Sequence, residues 1–351
     1  MAEALYEFDP TRDERWPAFV EGHLRSSIFH TVPWLQALRQ TYGYEPVAFT
    51  TSPPRRELKN ALVFCDIRSW LTGSRLVSLP FSDHCDPLCE SAEDMSALIR
   101  SVQTALGSQN WKYVEIRPTT RSFGHTVGAT GFRPAMTYIL HTLSLRPDLR
   151  ELFGTLHKDS VQRRIQRAER AGLEEKCGIS AHVLEQFYAL FVITRRRHCL
   201  PPIPFAWFKN LILCLSEGLE IRLACKGKTP IAAILTLRFR DVIYYKYGCS
   251  DARFHKYGAI PWLLWRTMVD GRWKGANELD MGRTEEGNMG LLTFKNHWTA
   301  SSKPLIYWRF PQVISIDSPK NWKLKLAKPI FSSMPLSLLT IAGRLGYRHI
   351  G

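Results

Sequence analysis

The chain lacks the marks of several function classes. Its cysteines are scattered and none forms a CxxC pair. Cys85 and Cys89 are spaced CxxxC beside His84, yet no second ligand pair follows at zinc-site spacing. No metal is therefore expected, and the thiols fit a reducing cytoplasm. No run reaches the roughly 18 apolar residues of a membrane-crossing helix. The opening residues, MAEALYEFDPTRDERW, are acidic and hold no apolar signal-peptide core. The expectation is a cytoplasmic protein, peripheral at the inner membrane face at most. Helix-turn-helix and zinc-finger spacings are missing too, so DNA binding has only net charge behind it.

What is present is a basic, well-packed chain. It has 351 residues, enough for two domains, and 45% hydrophobic content, enough for sizeable cores. Net charge is +15 and the pI about 9.6. That excess favours anionic partners: nucleic acid, a phosphorylated carrier or an anionic membrane.

Periodicity gives the order of elements. A helix is expected at 34–42, stopped by Gly43. Strands follow at 45–50, 61–67 and 75–79, with a turn at Ser52-Pro53-Pro54-Arg55-Arg56. A helix at 92–106 and strands at 113–116 and 136–145 complete the first half. The second half opens with helices at 149–156 and 161–171. Another helix at 183–198 is broken by Pro201, Pro202 and Pro204, and one more lies at 205–215. Strands at 219–226, 231–240 and 242–248, a helix at 261–271, and strands at 278–281 and 305–310 follow. The two halves share this order, so the expected fold class is α/β (α+β). It would consist of two tandem domains, each a mixed, largely antiparallel sheet flanked by helices. The expected divisions are 1–145, 146–315, and a basic tail at 316–351 that packs back on the N-terminal domain or contacts an anionic membrane.

The segment from Tyr244 to Trp298 reads as strand, glycine-broken loop, helix and strand, then a polar turn with a Phe294-Lys295 pair. Two strand ends and a helix start then surround one cleft, the place where open α/β sheets bind ligands.

Several motifs follow in order: Ile28-Phe29-His30-Thr31-Val32-Pro33-Trp34-Leu35 with Tyr42-Gly43-Tyr44-Glu45-Pro46; Leu79-Pro80-Phe81-Ser82-Asp83-His84-Cys85-Asp86-Pro87-Leu88; Val114-Glu115-Ile116-Arg117-Pro118; Lys246-Tyr247-Gly248 with Ser250-Asp251; Asp280-Met281-Gly282-Arg283-Thr284; and Phe294-Lys295 with Trp298. Together they resemble the Fem-type branch of the GNAT acyltransferase superfamily. The tail, with Trp322, Leu324, Leu326-Ala327, Leu336 and His349-Ile350-Gly351, is similar to the Gram-negative relatives encoded with exopolysaccharide and protein-sorting (PEP-CTERM) systems. The resemblance implies two GNAT-like domains and transfer of an acyl or aminoacyl group to an amine of a cell-envelope or polysaccharide precursor. The donor would be acyl-CoA or aminoacyl-tRNA, with no tightly bound cofactor. The alternative is a non-catalytic scaffold that binds tRNA or phospholipid.

Acyl transfer to an amine needs a neutral amine, a polarised carbonyl and a stabilised oxyanion. The resemblance implies that Lys295 lies near the reacting carbonyl, where a cation meets developing negative charge. Asp280 is read as orienting Arg283 or accepting the amine proton, or else as a turn aspartate. Asp83 and His84 form a candidate acid–base pair. Arg195, Arg197 and His198 form a candidate anion site, and Tyr247, Phe294 and Arg39 are read as substrate-binding. Arg39 lies near a lysine of the peptidoglycan-building relatives. The GNAT phosphate loop corresponds to RFHKYGAI, where Arg253, His255, Lys256 and Gly258 are the donor-phosphate candidates. Ile260 replaces the final small residue of that loop. The basic helix carrying Lys158, Arg163, Arg164, Arg167 and Arg170 suits a polyanion or a solvated face.

Overall fold

The structure is a computed structural model and describes residues 4–108, 111–311 and 335–349. Two units divide the chain. The first comprises residues up to 138 together with 304–311 and 346–349; the second comprises 139–303 and 335–345.

In the first unit the elements are β1 (Tyr6–Phe8), α1 (Arg15–Gly22), α2 (Val32–Tyr42), β2 (Glu45–Thr50), β3 (Leu62–Ile67), β4 (Arg75–Val77), α3 (Ala92–Ser108), β5 (Val114–Ile116) and α4 (Arg121–Ala129). β6 (Arg133–Ser144) leads out of it. Gly43 ends α2 at φ +69, a left-handed conformation that costs glycine little. Met95, Leu98, Ile99 and Val102 recur at helical spacing, and all four are buried against Phe49, Phe64 and Val114. The sheet order is β1-β2-β3-β4-β5, with β4 and β5 parallel and the earlier neighbours antiparallel.

The chain returns to this sheet late. Strand β12 (Ser301–Phe310) pairs antiparallel with β5, setting Trp308 opposite Ile116 and Phe310 opposite Val114. The end of the chain returns as well. Tyr44 Oη donates to the carbonyls of Tyr347 (3.0 Å) and Arg348 (3.2 Å), and Arg75 donates to that of His349 (3.0 Å). The units therefore divide within β6, whereas the sequence suggested position 145 followed by one continuous stretch to 315. Hydrophobic periodicity locates a strand but says nothing of which sheet it joins. Lys320, Lys323, Lys325 and Lys328 lie outside the described residues.

The second unit contains α5 (Leu149–Thr155), α6 (Arg163–Arg170), β7 (Glu174–Gly178), α7 (Ala181–Arg197), α8 (Phe205–Leu215), β8 (Leu219–Lys226), β9 (Thr229–Phe239), β10 (Val242–Ser250), α9 (Ala259–Trp273), β11 (Glu278–Glu285) and α10 (Met289–Asn296). α11 (Leu336–Tyr347) ends the described chain, its last residues belonging to the first unit. Strand order is β11-β10-β9-β8-β7, antiparallel except for the β10–β11 pair. Ile231 to Leu237 is an unbroken buried run, because α7 and α9 both pack on β9. Among the described residues, no helix is long and apolar enough to cross a membrane.

Candidate active site

β10 and β11 pair in parallel register at Val242–Glu278, Ile243–Leu279 and Tyr244–Asp280. Beyond Tyr244 and Asp280 the recorded register stops, although β10 continues to Ser250 and β11 to Glu285. A β-bulge lies between Tyr245 and Tyr247 of β10. Two parallel strands that leave register at their carboxyl ends open a wedge, where open α/β sheets receive ligands. Gly248 belongs to this irregularity, since a Cβ there would lie 1.9 Å from Tyr245 Oη.

On the β11 side, the buried Asp280 carboxylate accepts from the Gly282 N–H at 2.6 Å, and Gly282 takes φ +69. Lys295 is 2% exposed and donates from Nζ to the carbonyls of Gly282 (2.8 Å) and Arg283 (3.0 Å). The helix that carries it is formed where the sequence suggested a polar turn. Asn288 caps it by accepting from the Leu291 N–H, and Leu292 and Lys295 are its buried side. Asp280 and Lys295 thus hold the same bend of β11 from two sides.

The loop after β10 is a single 3₁₀ segment, Ala252–Tyr257, followed by Gly258 at φ +74 and then α9. Only glycine fits at 258: the φ is left-handed, and a Cβ would sit 2.5 Å from the Arg164 carbonyl. Pro261 occupies the first turn of α9, where its missing N–H goes unused. Beside this helix start lies a cavity of about 350 Å³, walled by Arg164, Ser250, His255, Ile260, Phe294 and His297 among others.

The electrostatics of the cavity are basic. Arg197 Nη1 meets the Ser250 carbonyl at 3.0 Å and His255 Nε2 at 3.3 Å, and Ser250 Oγ lies 2.9 Å from the same Nε2. A guanidinium only donates, so Nε2 accepts and the neutral ring carries its proton on Nδ1. Burial, then Arg197 and Arg164, push the His255 pKa down, against a smaller upward pull from Asp251. Thr194 Oγ1 fixes Ser250 by donating to its carbonyl (3.1 Å) and accepting from its N–H (2.8 Å). At the α9 start the Gly258 N–H is bonded to the His255 carbonyl and Pro261 has none, so the N–H groups of Ala259 and Ile260 are left over, an arrangement that suits an anion.

The structure therefore brings together His255, Gly258, Phe294 and, through His255, Arg197. It sends other candidates elsewhere. Arg253 turns outward into an ion pair with Asp251 (2.6 Å), its side chain 81% exposed. Lys256 stands over the Tyr257 ring at 5.3 Å. Arg195 donates to the Pro201 carbonyl (3.1 Å), and His198 is the C-cap of α7. Tyr247 Oη accepts from Trp207 Nε1 (2.9 Å) within a cluster of Phe191 and Phe208. Arg39 lies in the first unit, held by Asp9 (2.8 Å) and Glu45 (3.1 Å). Asp83 and His84 are also in the first unit: the Asp83 carbonyl accepts from Tyr307 Oη (2.6 Å), and the His84 ring packs on Phe29. Long polar side chains are committed by their own neighbours here, which sequence spacing does not reveal.

Sequence reasoning missed His157 and His297. Their ring centroids are 4.1 Å apart, and the His157 N–H donates to the His297 carbonyl (2.9 Å). His297 lines the cavity, and burial, then His157 and Arg164, lower its pKa. Nothing in either local sequence marks them as partners. Arg164 was visible only as one cation of a basic helix. Its neighbours are engaged: Arg163 with Asp159, and Arg167 with the Lys256 carbonyl. Arg164 faces the cavity. Among the described residues no group of His, Cys, Asp and Glu is arranged to hold a metal ion.

Residues 157–296, which contain the cavity walls named above except His297, match the family model described as an acetyltransferase (GNAT) domain. The fold is a mixed α/β fold of the tandem GNAT-like kind. Among solved structures the chain is similar to FemX, with 14% identity, 86% of this chain and 96% of that chain covered, and a TM-score of 0.69. It is similar to L-PGS from Bacillus licheniformis at 13% identity, covering 90% and 96%, with a TM-score of 0.56. A tandem GNAT protein from the clavulanic acid biosynthesis pathway matches at 9% identity, covering 87% and 97%, with a TM-score of 0.54. At these identities the likeness is one of fold. Among proteins of curated function, none matches the chain significantly.

Proposed function

We propose that this protein is an N-acyltransferase. It would move an acyl or aminoacyl group from a phosphate-bearing donor, acyl-CoA or aminoacyl-tRNA, to an amine of an envelope or polysaccharide precursor. The observation that carries the reading is the cavity at the start of α9. There Arg164, His255 and unpaired helix N–H groups converge beside two strands that have left register. In this reading Arg164 and His255 hold the donor phosphate, with Arg197 positioning His255. The reacting carbonyl lies in the wedge between β10 and β11. Lys295 and Asp280 set the β11 backbone there, with Arg283 beside them. The neutral amine attacks the carbonyl carbon and forms the C–N bond. The tetrahedral intermediate then expels the donor's thiolate or ribose oxygen, and the amine's proton leaves to that group or to solvent. No cysteine is placed as a nucleophile: Cys249 and Cys85 are buried, and burial raises both thiol pKa values.

Titration with acetyl-CoA and with charged tRNA, each at two salt concentrations, tests this. Binding of one donor followed by an amide product is expected, with tRNA affinity falling steeply as salt rises. Ligand binding without product from either donor would replace the reading with a non-catalytic scaffold.

A further inference from the structure

We propose that α11 is a docking face for an anionic phospholipid membrane. This goes beyond the transfer reaction and does not depend on it. α11 is seated by Leu339, which is fully buried, and by Gly343, where a Cβ would lie 2.0 Å from the Pro202 carbonyl. Among the described residues, nothing covers the other side of the helix in this way. Leu338, Ile341 and Leu345 are 52%, 45% and 63% exposed. At about 100° per residue they fall within an arc of about 60°. Arg344, exposed, flanks this stripe, and Arg348, also exposed, follows just past the helix.

A solvated helix turns polar side chains outward. Three aliphatic side chains bordered by arginine are instead the composition of a helix lying in a membrane interface. In sequence, the charge flanking the helix has one sign. From Ser318 to Gly351 the sequence holds Lys320, Lys323, Lys325, Lys328, Arg344 and Arg348, and neither Asp nor Glu. The occupant must therefore be apolar and negative at once. Nucleic acid supplies the charge but nothing to bury the aliphatic stripe. A second copy presents the same positive charge at a self-complementary contact. An anionic bilayer supplies both attractions.

Flotation of the full-length protein tests the proposal, using phosphatidylcholine vesicles with and without a third of phosphatidylglycerol. Binding to the anionic vesicles should be about tenfold stronger or more, and should weaken as salt rises. The triple variant Leu338→Gln, Ile341→Gln, Leu345→Gln should lose about tenfold or more of that binding at an unchanged melting temperature. The pair Arg344→Glu, Arg348→Glu, which alters only exposed residues, should lose it as well. Equal binding to both vesicle types, no binding, or full binding by either variant overturns the proposal. So does a triple variant that changes only the oligomeric state, which would assign the face to a second copy. Tight tRNA binding that the triple variant keeps, without vesicle binding, would assign the charge to nucleic acid and overturn it too. The assay contains neither donor nor acceptor, so its failure leaves the acyltransferase reading untouched.

Discussion

Lys295 is a buried cation whose partners are backbone carbonyls. Its ammonium satisfies the carbonyls of Gly282 and Arg283 at the bend of β11. Replacement by methionine keeps the buried stem but withdraws both hydrogen bonds. Each carbonyl left without its donor costs about 1–3 kcal/mol. Lys295→Met should therefore lower the melting temperature by several degrees and slow transfer, while donor affinity changes less than about threefold. Thermal melts and steady-state kinetics on one preparation check this. Unaltered turnover would remove Lys295 from the chemistry. Lys295 came forward through the Fem-type resemblance, whereas sequence spacing alone reads it as a surface lysine, and the structure buries it. Its partners were not legible, since backbone carbonyls leave no trace in sequence.

At the scale of elements, the start of α9 is the feature on which the proposed function turns. His255 is held neutral there by burial, by Arg197 and by Arg164. A donor phosphate placed beside the ring opposes that shift and raises the pKa. Donor binding then takes up a proton, so affinity should rise as pH falls from 7.5 toward 6, in the range where histidine titrates. The change should vanish in His255→Gln, as isothermal titration at several pH values would show. The helices and strands around this point were largely legible, because α7 carries an apolar helical period and β9 a continuous apolar run. β7, with the sequence EEKCG, was missed because an edge strand needs no apolar alternation. α10 was missed because its eight residues include only two buried side chains, one of them a lysine. The loop at 253–258 looked irregular in sequence and is so in structure. A short 3₁₀ turn and a left-handed glycine stand where the resemblance sets a longer glycine-rich run.

At the scale of the whole molecule, the first unit carries buried polar clusters that bear on stability. Glu115 is fully buried. Burial opposes its ionisation, but Arg117 and Arg309 outweigh this and hold its pKa below the usual carboxylate range. His30 is fully buried too, between Ser27 (Oγ at 2.9 Å) and the Asp86 carbonyl (3.0 Å). Burial pushes its pKa down to about 4, against a smaller pull from Asp86. The unfolded chain protonates this histidine near pH 6.5 while the folded chain resists until about 4. The neutral His30 therefore contributes stability that is intact above pH 6.5 and is lost as pH falls toward 4, up to about 3 kcal/mol. Melting temperatures between pH 7 and 4 should fall accordingly, with a shallower slope in His30→Gln. The pairing of β12 with β5 could not be read from sequence, because return of a late strand to an early sheet is decided by tertiary packing.

The central claim is that the cavity at the start of α9 binds the donor's phosphate. It is tested most directly by isothermal titration of the identified donor into wild-type protein and Arg164→Ala. Arg164 is exposed and walls the cavity, so its removal should leave the melting temperature unchanged. Loss of a charge-assisted hydrogen bond to phosphate should weaken binding by about tenfold or more. Equal affinity of the two proteins for the donor would contradict the account.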